Sequence, residues 1–365
     1  MKQERKLYLD IAKGIGILLI VLGHQNYFSY DGRLCTLVYS FHLPLFILLG
    51  GYWIDGKKDG TAGEFAVKKF DRLVRPYFLF AIVSLLLSWP EGYTPLHIGI
   101  AKIFQGNIAG SDSVNTPLWF MPMFFLANLA FYGIHRISLA AEKKAGKKVF
   151  GLEEILCLAA AVLGFWLLKH VKRLPWSIEL ALISQIFFLA GAYFRRAELW
   201  LQMQDKKKAF AFQAGGALAA ALIWLLGVLK NGRVDMNAAV FGNVFLFYLT
   251  ALAGIYLTFI VSRILTKAPV IKGFLALCGR CSLYIMGYHI YAPIVMNIVV
   301  IEYMPLLIRE NYIQKNIIGI GYQVLGAVLV GIFLAALHSG GRILSGGRKT
   351  AEKCNGNQVE TLKEK

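Results

Sequence analysis

Asp10, Lys13 and His24 are three ionisable residues sharing the first apolar run of the chain, residues 7–24. At about 100° per residue, Lys13 and His24 fall three turns plus about 20° apart, and Asp10 lies on the same narrow wedge. The eleven-residue step separates the lysine from the histidine by roughly 16 Å along a helix axis. A charge at mid-helix costs about 2.5–3.5 kcal/mol in a bilayer, so such groups usually face a protein interior or a wet cavity. The layout therefore suits a passage with a cation at one mouth and a titratable nitrogen at the other. Anchoring explains the same residues equally well: Asp10 and Lys13 reach the headgroups, and His24 caps the helix at the water boundary.

Further candidates lie downstream. In Phe41-His42-Leu43-Pro44 a proline can open the backbone beside a histidine, and topology brings His42 towards His24 from the neighbouring span. His289 ends Ser282-Leu-Tyr284-Ile-Met-Gly-Tyr288-His289, where a catalytic role and satisfaction by a backbone carbonyl stand level. Arg72 and Arg75, three apart before Pro76, read as a helix start whose donor fork and free N–H groups suit a phosphate; positive-inside anchoring is the plainer alternative. Asn115 and Trp119 in a Pro-flanked aromatic stretch read as a belt anchor or a sugar-stacking platform, with the anchor favoured. Arg233 and Asn243 bring polar groups that can hydrogen-bond a hydroxylated acceptor, as ordinary loop residues also can.

The elements that must position these groups are membrane spans. Of 365 residues, 57% are hydrophobic, with 25 Phe and 17 Tyr, which fits a polytopic membrane protein better than a soluble domain. Ten apolar segments can be laid down, at about 7–26, 35–54, 73–90, 117–139, 151–169, 177–194, 209–229, 240–262, 278–300 and 316–337. The net charge of +18 does not call for nucleic acid, because about 29 of the 39 basic residues lie in alternate loops and the termini. That asymmetry predicts an all-α integral membrane bundle with both termini cytoplasmic. Tyr8, Trp53, Trp89, Trp119, Trp176 and Trp200 fall at span ends as interfacial anchors. The first run lacks a small-x-small cleavage site and is expected to stay as a span. The five cysteines read as thiols; Cys278-Gly-Arg-Cys281 stands without a second pair, so no metal site is expected. One transmembrane domain, 1–344, is expected to precede a polar, disordered tail, 345–365. Ala12-x-x-x-Gly16 serves packing within the bundle or between copies, which leaves the oligomeric state open.

In order and spacing, Asp10-Ile-Ala-Lys13-Gly14 to Gly23-His24, Phe41-His42-Leu43-Pro44 to Gly50-Gly51-Tyr52, Arg72-Leu-Val-Arg75-Pro76-Tyr77, Leu118-Trp119-Phe120 and Ser282-Leu-Tyr284 to His289 resemble the membrane acyltransferase 3 family. The closest look is to its fucose 4-O-acetylase-like branch, echoed in Leu174-Pro175-Trp176, Gly232-Arg233-Val-Asp235 and Gly242-Asn243. The resemblance implies a ten-span enzyme of the bacterial inner membrane that moves an acyl group, usually acetyl from cytoplasmic acetyl-CoA, to a hydroxyl of a surface or exported carbohydrate. It makes His24 the motif histidine and Arg72 and Arg75 the arginine pair, with Lys13 where many members have arginine. Lysine keeps the charge but not the bidentate fork. The chemistry is consistent with this: a neutral imidazole removes the hydroxyl proton as oxygen attacks a thioester carbonyl. His24 is the candidate base, His42 and His289 are second choices or orienting groups, and Lys13, Arg72 and Arg75 hold the anionic donor. A transporter or flippase for a lipid-linked sugar is the rival reading.

Overall fold

The computed structural model describes residues 6–24, 32–54, 59–88, 95–106, 114–147, 149, 151–171, 173–291, 302–306, 309–310 and 317–339. The expected tail, the end of the ninth segment and Trp89 lie outside them. Among the described residues the chain is all helical apart from an isolated antiparallel bridge between Asp235 and Val240. It divides into two compact units, one of Met1–Tyr27 with Ser262–Lys365 and the other of Phe28–Val261.

The first unit is built on α1 (Leu7–Gly23), which packs against α13 (Pro269–Arg280), with α14 (Ser282–Tyr288) and α15 (Ile317–Ser339) beside them. Glycine decides how closely the first pair approaches. A Cβ on Gly14 would lie 2.0 Å from the carbonyl oxygen of Leu275, and one on Gly279 would lie 1.9 Å from that of Asp10. Backbone therefore meets backbone at both ends of the crossing, in the manner of small-residue contacts between membrane helices. Ile11, Leu275 and Ala276 fill the space between, flanked by Ile15, Leu18 and Leu265. Gly331 of α15 plays the same part against Ile285 of α14. The chain bends by 65° between α13 and α14.

The second unit holds α2 (Arg33–Tyr39), α3 (His42–Trp53), α4 (Ala62–Lys69) running through a π-helical turn (Phe70–Val74) into α5 (Arg75–Ser88), the short α6 (Leu96–Gln105), α7 (Phe120–Ala145), α8 (Leu152–His170), α9 (Ile178–Ile183), α10 (Gln185–Gln202), α11 (Lys206–Asn231) and most of α12 (Val244–Leu265). Gly51 and Gly191 set the crossing of α3 and α10: added Cβ atoms would meet Phe188 O at 1.9 Å and Leu48 O at 2.1 Å. Phe124, Phe131 and Phe188 pack as a ring cluster next to it. Around α11 the side chains Phe210, Leu218, Leu225 and Leu229 are more than half exposed, the surface expected of a helix that faces lipid.

Five helices are long and apolar enough to cross a membrane, and up to seven spans result if the bent pairs Pro175–Ile183 with Gln185–Gln202 and Pro269–Arg280 with Ser282–Tyr288 each count as one. Helix is found in every one of the ten expected segments where they are described, but several are broken or begin late, as the eighth does at Val244. The second segment breaks at Ser40 and Phe41, ahead of His42, and Pro44 sits in the first turn of α3, where its missing N–H is harmless. The opening of the backbone thus precedes the histidine, not at the proline where it was expected. Leucine at Gly191 or Gly279 overpacks a backbone contact, so each variant is expected to lose about 1–3 kcal/mol and melt several degrees lower in detergent, whereas leucine at Gly133, where a Cβ meets nothing within 4 Å, leaves the midpoint nearly unchanged.

Candidate active site

A helix ends with unpaired carbonyls, and the three candidate histidines all sit where such carbonyls need donors. His24 closes α1, and its Nδ1 lies 2.8 Å from Ile20 O. His42 follows the break after α2, with Nδ1 2.7 Å from Val38 O. His289 closes α14, with Nδ1 2.9 Å from Met286 O. A carbonyl only accepts, so each Nδ1 carries the hydrogen, and each neutral ring keeps its basic lone pair on Nε2. That is the tautomer a general base needs.

The structure pairs His24 with His289. Their ring centroids are 5.0 Å apart at 69°, both within the first unit. His24 is exposed, whereas His289 is buried, and Nε2 of His289 has no hydrogen-bond partner among the described residues. His42 belongs to the second unit, where it is buried with its ring edge-on to Tyr39 at 4.9 Å. The Arg233 guanidinium lies over the same Tyr39 ring, 4.5 Å from its centre, and pairs with Asp235 at 2.9 Å. Two residues predicted separately, His42 and Arg233, are therefore joined through Tyr39, which the sequence reading did not single out.

Other predicted residues turn out to hold the scaffold. Asn243 caps α12: its Oδ1 accepts from the Leu246 N–H, and its own N–H donates to Asn231. Asn115 is buried and donates to Ser84 Oγ at 2.9 Å, tying the turn before α7 to α5. Trp119 is 3% exposed and edge-on to Phe120, so core packing replaces the interfacial anchor expected of it. Tyr8, another expected anchor, is buried under the Arg263 guanidinium. The turn at Trp176 and Ser177, both at positive φ, is held by Arg173, whose guanidinium donates to Glu179 at 2.6 Å, Ser177 at 3.1 Å and Asn237 O at 2.5 Å.

The cations also rearrange. Asp10 is buried and lies 3.7 Å from Lys13, so part of the polar wedge is an internal ion pair. Arg72 and Arg75 do not open a helix. The helix starts at Ala62, where Thr61 and Glu64 form a capping box, and the Arg75 N–H is already bonded to Phe70 O. Pro76 explains the π-turn, since its ring would clash with the carbonyl four residues back in a regular α-helix. No terminal N–H groups are left there, and anion binding rests on side chains alone. Arg75 is largely exposed and pairs with Asp71 at 2.9 Å, while Arg72 lines a shallow groove of about 570 Å³ with Lys68, Asp71 and Glu64.

Lys69 was missed. It turns inward to Asn128 Oδ1 at 2.5 Å, with its ammonium 5.1 Å from the Phe65 ring centre. Among the described residues Asn128 is its single hydrogen-bond acceptor, and no carboxylate lies within ion-pair distance. Burial pulls its pKa down to about 8; Asp59 opposes this, and Arg72 and Lys68 add to it. The sequence signals were the Lys69-x-x-Arg72-x-x-Arg75 spacing and one asparagine in an apolar span. Among the described residues no group of three or more metal-ligating side chains converges.

The lysine carries a sign for stability. Its folded pKa of about 8 lies below the unfolded value of about 10.4, so between these pH values the unfolded chain binds the extra proton. The solubilised protein is expected to gain thermal stability as pH rises from 8 towards 10, and Lys69→Met to lose that gain, in melts recorded across the range.

No curated protein and no solved structure matches the chain. A family model described as an acyltransferase domain matches residues 6–338. With several helices apolar enough to span a bilayer, this multi-pass membrane protein belongs to the acyltransferase 3 family.

Proposed function

We propose that this acyltransferase takes an acetyl group from cytoplasmic acetyl-CoA and delivers it to a hydroxyl of a surface or exported carbohydrate. The fucose 4-O-acetylase-like resemblance supports the acceptor class. In this reading the enzyme is a ten-span protein of the bacterial inner membrane with both termini in the cytoplasm. The single observation that carries the chemistry is the Nδ1–carbonyl bond of His24, which presents Nε2 as a base at an exposed helix end.

His24 removes the hydroxyl proton as the oxygen attacks the thioester carbonyl. The carbon–oxygen bond forms, the carbon–sulfur bond breaks, and the departing thiolate takes the proton back from the imidazolium. The donor's phosphates meet Lys69, Arg72 and Arg75. Lys69 fits that task because its ammonium has one neutral acceptor in contact and donors to spare. Lys13 keeps a supporting role, since Asp10 already neutralises it. Arg233, backed by Tyr39 and Asp235, is the best-supported acceptor contact, and Asn115, Trp119 and Asn243 act by shaping its surroundings.

Purified protein incubated with labelled acetyl-CoA and candidate glycans is expected to consume thioester and label the glycan. His24→Ala is expected to lower that rate at least about a hundredfold while the protein still inserts. Wild-type rates in that variant would remove His24 from the mechanism, and unmodified glycan crossing the bilayer would point to transport. Lys69→Ala and Arg72→Ala are expected to raise KM for acetyl-CoA about tenfold and leave KM for S-acetylpantetheine, which lacks the nucleotide phosphates, unchanged.

A further inference from the structure

Arg280 ends α13, one residue beyond the glycine that touches α1. A Cβ on Gly279 would lie 1.9 Å from Asp10 O and 3.0 Å from Gly14 N, so this end of α13 lies against the α1 turn that carries Asp10 and Lys13. At about 100° per residue, Arg280 shares a helix face with Ala276, which is buried in one cluster with Ile11 of α1. Its backbone also stands at a break: α13 and α14 are together apolar enough to cross a membrane, and they meet at a 65° bend.

This guanidinium lacks an anion. Among the described residues Arg280 has no ion-pair partner, and its Nε is buried without a hydrogen-bond acceptor. Asp10 is the single carboxylate on α1, α13, α14 and α15, and it pairs with Lys13. The last-turn position accounts for part of the placement, because a helix dipole favours a cation there by about 0.3–1 kcal/mol. That is a small return for a half-buried arginine in an apolar helix pair, where an ionisable group is costly and usually faces a protein interior or a wet cavity. The lipid-facing side of α13 is elsewhere, since the exposed Ile271 and Phe274 lie about 120–180° around the helix from Arg280.

We infer that Arg280 is an anion-binding residue whose ligand is a phosphate group at the nucleotide end of the acyl-CoA donor. A guanidinium meets phosphate oxygens with a fixed fork of N–H donors. Lys13, on the facing turn of α1, has an arginine's charge without its fork and is engaged by Asp10. Arg280 brings the fork to that crossing from the other helix. The identity of the ligand rests on the acyl-transfer reading, whereas the need for an anion is a property of the crossing itself. Because the contact is made far from any bond that breaks, it acts on donor affinity and leaves the transfer step alone.

The test is calorimetric titration of the full-length protein in phosphatidylcholine nanodiscs with CoA and with pantetheine, for the wild type, Arg280→Lys and Arg280→Ala. CoA is expected to bind at least about tenfold more weakly to Arg280→Ala and to an intermediate degree to Arg280→Lys, while pantetheine, which has no phosphate, binds all three alike. The melting midpoint of Arg280→Ala is expected to equal or exceed that of the wild type, because the substitution removes a cation that has no partner. A lower midpoint with unchanged CoA affinity marks a residue that only caps α13, and overturns the inference. Unchanged CoA affinity with loss of a copurifying anionic phospholipid, seen by native mass spectrometry, assigns the phosphate to a lipid headgroup and overturns it too. Should neither variant fold, phenylglyoxal labelling of Arg280 in the wild type decides: CoA must slow it and pantetheine must not. Glycan acetylation on the same samples separates the two ideas. Arg280-dependent CoA binding without any transfer from acetyl-CoA sinks the acyl-transfer reading, and transfer by Arg280→Ala with the wild-type KM for acetyl-CoA sinks the phosphate site.

Discussion

The hydrogen bond from an imidazole Nδ1 to a carbonyl near the end of its own or the preceding helix recurs at four histidines of the described chain. It is seen at His24, His42, His170 and His289, with separations of 2.7–2.9 Å. The cause is the environment. Where the ring is buried, as at His42 and His289, a ring N–H and a terminal carbonyl both lack water, and each is costly to leave unmet. Bonding them to one another satisfies two groups and fixes the tautomer. The same constraint that stabilises the helix ends therefore sets the protonation geometry of any base the protein uses.

For such a base to act, its helix must be held in register, and here glycine does that. At Gly14 and Gly279 the backbones of α1 and α13 touch, and at Gly331 α15 presses against Ile285 of α14. His24 rides on α1 and His289 on α14, so the pairing of the two rings inherits its precision from these contacts. The Asp10–Lys13 pair lies within α1.

Much of the helical plan was legible in the sequence, because apolar runs report burial in lipid or protein directly. His24 and His289 were legible as candidates, since an intramembrane histidine is rare enough to notice. Their partnership was not, because residues 265 positions apart meet where α1 packs against α14, beside an α1–α13 crossing set by glycine contacts that no periodicity reveals. Trp119 and Tyr8 misled for a related reason: an aromatic at the end of an apolar run is compatible with an interface and with a core, and packing decides. Arg72 and Arg75 were read as a helix start because Pro76 usually marks one. In fact the helix tolerates the proline through a π-turn, an option that spacing alone does not announce.

That turn bears on how the proposed donor's anion would be held. Had the helix begun at the arginines, its free N–H groups would bind a phosphate by geometry and dipole. Without them, any selectivity for that anion would fall to side chains of unequal standing. Arg75 already faces Asp71, and Lys13 faces Asp10, so each would have to exchange one anion for another. Lys69 has a neutral amide as its hydrogen-bond acceptor and the Phe65 ring beside it, and its ammonium is held partly out of water, where a charge is costly. An arriving phosphate would relieve that cost rather than compete for it. Of the cations along α4 and its π-turn, the one least obvious in the sequence would thus have most to gain from such a ligand.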